Sequence, residues 1–143
     1  MSASFSFPYY VLYREIGDQY RPVVNALFRY HEEEFFYPML LDTGASGILL
    51  PASAADLLGL TLSELPEVEG QTFWGYTRHS KKGPPVWISL PEIDEDMGFA
   101  TSVFFADWIE PWQFGLFGRD VLDYVRCCFT HERGLQFYIG FRS

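Results

Sequence analysis

One acidic residue held between two apolar runs constrains this chain more than any other feature. Met39-Leu40-Leu41 and Ile48-Leu49-Leu50 read as short buried strands, and Asp42-Thr43-Gly44-Ala45-Ser46-Gly47 joins them. A carboxylate wedged between core strands costs free energy unless something uses or satisfies it. The plainer reading is a turn, since Asp, Thr and Gly all suit turns. A second stretch, Phe114-Gly115-Leu116-Phe117-Gly118-Arg119-Asp120-Val121-Leu122, lies far downstream. Here an apolar pair, a glycine and a polar pair precede a short helical pattern.

The two stretches together, in this order, resemble the single-domain, retroviral-type (retropepsin-like) aspartic proteases. Asp42-Thr43-Gly44 with its hydrophobic lead-in is similar to the active-site loop of that family. Gly118-Arg119-Asp120 is similar to the motif that closes its fold. The resemblance spans roughly residues 21–140, although only the two motifs are specific. It implies an all-β, closed acid-protease barrel with one or two short helices, and one such domain over residues 1–143.

Composition bounds what this fold could serve. The 143 residues suit one domain, and 48% hydrophobic with 19% aromatic content can build a substantial core. A net charge of −9 argues against nucleic acid, whose phosphates would be repelled. Lys81-Lys82, beside Arg78 and His79, reads as a solvated turn. The only cysteines, Cys127 and Cys128, are adjacent; in a strand they point to opposite faces, so they cannot easily bond each other. One is expected to face the core and the other outward or into an interface. The N-terminal residues lack a basic region and a long apolar run, so neither a signal peptide nor a membrane span is expected. A reducing, cytoplasmic setting is the default.

Strands are expected over residues 9–13 and 22–28, with a turn at Gly17-Asp18 and a polar hairpin tip at His31 to Glu34. Those four residues do not make a metal site, because consecutive residues in a strand or open turn do not converge on one ion. Residues 51–59 read as a short helix, with Pro near its start and Gly past its end. Residues 60–69 read as a linker. Residues 70–77 occupy the place of the family's flap, the hairpin that folds over bound peptide. The resemblance makes Trp74, Gly75 and Tyr76 substrate-binding candidates. The tip falls either near Trp74-Gly75 or at a polar turn over residues 78–83, and an ordinary hairpin with core aromatics is the plainer alternative. A strand over residues 86–90, an acidic loop at 91–96, and segments 99–105 and 109–114 around Asp107 follow. Then come a short helix at 120–124 and a last hairpin, 126–130 with 135–141.

Peptide hydrolysis needs an activated water and a protonated leaving amine, and two carboxylates sharing one proton can serve both needs. The chain has one Asp-Thr-Gly, so a second copy must supply the second carboxylate. The resemblance therefore implies a homodimeric aspartic endopeptidase acting on polypeptides, with Asp42 catalytic and no cofactor or metal. It also implies that Thr43 ties the two loops together and that Gly44 offers its backbone to substrate. Ala45 stands where pepsin-like loops often carry a hydroxyl residue. Gly118, Arg119 and Asp120 take structural roles. Ser46 stands where the retroviral enzymes have the Asp that pairs with the equivalent of Arg119, so that ion pair is not expected. Terminal strands 5–13 and 135–141 are candidates for the dimer interface. The competing readings are a catalytically silent retropepsin-like peptide-binding or assembly module, and an unrelated small barrel with an acyl or peptide ligand.

Overall fold

The computed structural model describes residues 9–71, 77–129 and 136–142. Burial alternates most clearly in the fourth strand. In β4 (Val23–Tyr30), Val24, Ala26 and Phe28 point inward while Asn25, Leu27 and Arg29 are more exposed. β4 turns at His31, whose φ of 54° makes the tight corner, into β5 (Glu33–Leu41). β6 (Ile48–Pro51) follows the acidic loop. A single-turn helix, α1 (Ala54–Leu57), then ends at Gly59, where φ is +72°. β7 (Glu67–Gln71) pairs antiparallel with the long β8 (Thr77–Leu90), and β8 with β9 (Asp94–Ala106). A 3-10 helix over Asp107–Trp112 leads to β10 (Gly115–Phe117), and a second over Arg119–Asp123 leads to β11 (Val125–Phe129).

Six of these strands close into a ring in the order β4-β5-β10-β6-β9-β8, because β8 also pairs back onto β4 through Leu27–Ser89, Phe28–Ile88 and Arg29–Trp87. β7 extends the sheet beyond the ring on the first half of β8. Phe28, Met39, Ile48, Leu50, Ile88, Phe105 and Phe117 fill the inside and are nearly inaccessible to water. Burying each such side chain contributes about 1.5–3 kcal/mol. A separate three-stranded sheet, β1 (Tyr9–Leu12), β12 (Gln136–Phe141) and β11, covers part of this core through Val125, Phe137 and Ile139. The hairpin of β2 (Arg14–Ile16) and β3 (Gln19–Arg21) turns at Gly17, as the sequence suggests.

The fold is all-β with short helical pieces, as expected, but three assignments change. Residues 60–69 are not all linker, because Glu67 to Glu69 already pair with Lys81 to His79. Residues 78–83 are not a turn. They belong to β8, where Arg78 and His79 stand clear of the core and Lys81 and Lys82 already pair with Phe105 and Phe104 of β9. The acidic stretch 91–96 is a turn only over Pro91 to Ile93, after which β9 begins. The two candidate interface runs also meet within one chain: Tyr9 pairs with Ile139 and Leu12 with Gln136. Among the described residues, no helix is long and apolar enough to cross a membrane.

Candidate active site

Asp42 sits where β5 leaves the ring, and the loop from Asp42 to Gly47 returns the chain into β6. β10 slots between these strands, parallel to β5 and antiparallel to β6, so that Phe117 lies beside both Leu41 and Ile48. The closing motif then laces onto the loop through backbone hydrogen bonds. The Gly118 N–H donates to the Gly47 carbonyl at 2.9 Å, Arg119 N–H to Ala45 at 2.9 Å, and Asp120 N–H to Ser46 at 2.9 Å. The Asp42 N–H donates to the Phe117 carbonyl at 2.9 Å. Gly118 has no room for a side chain: a Cβ would collide with the Gly47 carbonyl oxygen and stand 2.7 Å from that of Ala45. Two stretches far apart in the sequence thus form one unit that fixes the carboxylate.

Within the loop, the Gly44 N–H donates to Asp42 Oδ1 at 2.9 Å, and the Ala45 N–H to the Asp42 carbonyl at 3.1 Å. A Cβ on Gly44 would stand 3.1 Å from Oδ1, so a side chain there would press on the carboxylate. Asp42 is half-buried, whereas Thr43 and Gly44 are exposed. Arg119 donates from Nη1 to the Thr43 carbonyl at 2.8 Å. It therefore uses a backbone carbonyl in place of the absent carboxylate partner, and ties the tip of the loop to the closing motif. Asp120 contributes its backbone to the lacing, and its side chain is exposed.

Asp42 opens into a cleft of about 450 Å³. Leu49, Phe104 and Leu116 line it from β6, β9 and β10, where Leu49 pairs with both Phe104 and Leu116. The β7–β8 arms, through Val68 to Gly70 and Arg78 to Ser80, form another side. These arms occupy the place expected of a flap. Gln71 pairs with Thr77, so their connection runs through residues 72–76. Trp74, Gly75 and Tyr76 lie outside the described residues.

The sequence does not single out Trp108, and it offers Arg78 only as part of a polar turn, one of two candidate flap tips. The Trp108 Nε1–H donates to the His79 carbonyl at 3.1 Å, and the Arg78 guanidinium carbon lies 5.4 Å from the centre of the indole. Trp108 thereby clamps the outer arm from the 3-10 helix after β9. The one available signal was a tryptophan placed directly after the Asp107 loop, since indole N–H groups seek partners when partly covered. Nearby, Glu110 anchors the start of α1 by accepting from Ser53 N at 2.6 Å and Ser53 Oγ at 3.1 Å. Burial, and then the Glu110 charge, hold the Tyr37 hydroxyl above its usual range. Burial likewise pushes the Cys127 thiol up to about 12. Among the described residues, no three His, Cys, Asp or Glu side chains gather where they could hold a metal ion.

No protein-family profile matches the chain, and no curated protein matches it by sequence. Solved structures do. The chain is similar to a retropepsin-like aspartic protease from Rickettsia conorii, with a TM-score of 0.60 at 17% identity, over 92% of this chain and 98% of that one. It is also similar to the EIAV protease solved with the inhibitor HBY-793, with a TM-score of 0.50 at 20% identity, over 77% of this chain and 92% of that one. At these identities the likeness concerns the fold, and this chain has a retropepsin-like fold.

Proposed function

We propose that the chain is a single retropepsin-like aspartic protease domain, an endopeptidase active as a homodimer. The observation that carries this reading is the placement of Asp42. It lies on a loop pinned by the closing motif, at the edge of an open cleft flanked by a hairpin arm. The exposed Thr43-Gly44 tip is free to meet its copy across a two-fold axis, bringing two Asp42 carboxylates together. One carboxylate takes a proton from water, whose oxygen attacks the peptide carbonyl carbon. The other, protonated, hydrogen-bonds the carbonyl oxygen as it gains charge. When the tetrahedral intermediate collapses, the C–N bond breaks and the amine leaves with a proton. Gly44 presents backbone to the substrate, and the flap region 70–77, including Trp74, Gly75 and Tyr76, would close over it. No cofactor or metal enters this chemistry, and a cytoplasmic location is part of the proposal.

The test is hydrolysis of an unfolded protein substrate, with and without a pepstatin-type inhibitor. Pepstatin-sensitive cleavage that disappears in Asp42→Asn, with the fold intact by circular dichroism, supports the reading. Full activity in Asp42→Asn removes the protease assignment from this loop. Inhibitor binding with no turnover by a dimeric wild type would instead favour a silent peptide-binding module.

A further inference from the structure

The β7–β8 hairpin sorts its charges by face. On one face, both acids have a nitrogen-bearing neighbour across the ladder: Glu67 is opposite Lys81 and Glu69 opposite His79, with Glu69 Oε1 3.9 Å from His79 Nδ1. On the other face Arg78 is opposite Gly70, and Ser80 opposite Val68. Arg78 therefore has no acidic neighbour across the ladder, and among the described residues no carboxylate reaches it as an ion pair. The space beside it is open, since a Cβ on Gly70 would meet nothing within 4 Å.

Trp108 holds this cation in place. Its indole is fixed by the hydrogen bond to the His79 carbonyl, and the guanidinium lies over its ring. A guanidinium on an aromatic face keeps its in-plane N–H donors available, in the fork that matches a carboxylate. Arg119, on the same cleft, has one donor committed to Thr43. Among the described residues, the carboxylates lining the cleft are Asp42, used by the chemistry, and Glu69, opposite His79. In a chain of net charge −9, this cleft presents two arginines, Arg78 and Arg119, that have no carboxylate at ion-pair distance among the described residues.

We propose that the cleft selects polypeptide substrates bearing an Asp or Glu side chain near the scissile bond, with Arg78 on its Trp108 platform binding that carboxylate. This rests on the peptidase reading of the same cleft. The bland competitor is that Arg78 only braces the arm against Trp108, in which case substrate charge has no effect.

The experiment uses the full chain and peptide sets that differ at one residue, Glu, Gln or Lys, scanned through the positions around a cleavage site. At one position kcat/KM for Glu should exceed that for Gln by roughly three- to tenfold, the scale of a partly exposed ion pair. Lys should be the poorest, and the advantage of Glu should shrink in high salt. Arg78→Gln should bring the Glu-to-Gln ratio close to one, and Arg78→Lys should restore part of it. An equal ratio in wild type and Arg78→Gln overturns the proposal, and continued hydrolysis in that case leaves the peptidase reading standing. If wild type cleaves no peptide, the peptidase reading fails by itself. The same labelled peptides then report Kd by fluorescence anisotropy, and an Arg78-dependent preference for Glu still decides the question.

Discussion

At the scale of residues, the loop around Asp42 is held by groups that can be removed one at a time. Gly118→Ala places a methyl group against two backbone carbonyls that cannot swing aside. It should cost about 3 kcal/mol, at the upper end for overpacking, read as a lowered urea midpoint. Arg119→Ala removes the charged donor to the Thr43 carbonyl. Because Arg119 is exposed, the loss should be about 1 kcal/mol. An unchanged midpoint together with unchanged dimerisation would show the guanidinium to be merely solvated. Cys127 offers a pH test. Its folded thiol is pushed from an ordinary 9.0 to about 12 by burial. The unfolded chain therefore releases this proton first as pH rises. The contribution of Cys127 to stability is complete below pH 9 and is lost progressively between 9 and about 12. Cys127→Ala should flatten the fall in stability over that window relative to wild type. Parallel curves for the two proteins would contradict the assignment.

At the scale of elements, the β7–β8 arm depends on Trp108. Trp108→Phe keeps an aromatic platform for Arg78 but removes the donor to the His79 carbonyl. Amide hydrogen exchange over residues 77–82 should quicken severalfold, as expected when about 1 kcal/mol of hydrogen bonding is lost. Unchanged protection would mean that the ladder to β7 holds the arm without help. The same element shows what the sequence could reveal. The Asp42 loop and the Gly118 motif were legible because each needs small or acidic residues between apolar runs, and few other arrangements tolerate them. The helix before Gly59 was legible from its terminal residues. The arm was not legible. Arg78-His79-Ser80-Lys81-Lys82 has the composition of a turn, and it is a strand only through long-range pairing, with residues 67–71 and, at Lys81 and Lys82, with Phe105 and Phe104. Composition reports burial, and a strand that projects beyond its barrel has little burial to report. The grip of Trp108 on His79 and the role of Arg119 at the Thr43 carbonyl are long-range contacts with no local periodicity. The clearest local hint at Arg119, Ser46 in place of an acid, told only which partner to discard.

At the scale of the whole molecule, the proposed mechanism uses two Asp42 carboxylates, and each chain offers one Asp-Thr-Gly loop. Specific activity should therefore fall steeply on dilution through the dimer dissociation constant, and activity that is independent of concentration in a monomeric sample would oppose this. β1 and β11 flank β12 in the three-stranded sheet, and their outer edges carry no strand among the described residues. Such edges suit pairing with a second copy. The most direct measurement mixes wild type with Asp42→Asn, unfolds and refolds them together, and follows activity against composition at constant total protein. If each site takes one Asp42 from each chain, a mixed dimer is inactive and activity falls as the square of the wild-type fraction. An equal mixture then retains about a quarter of the activity, by counting randomly paired dimers. A linear fall, with half the activity kept, would mean that each chain carries a complete site, and would contradict the shared pair of carboxylates.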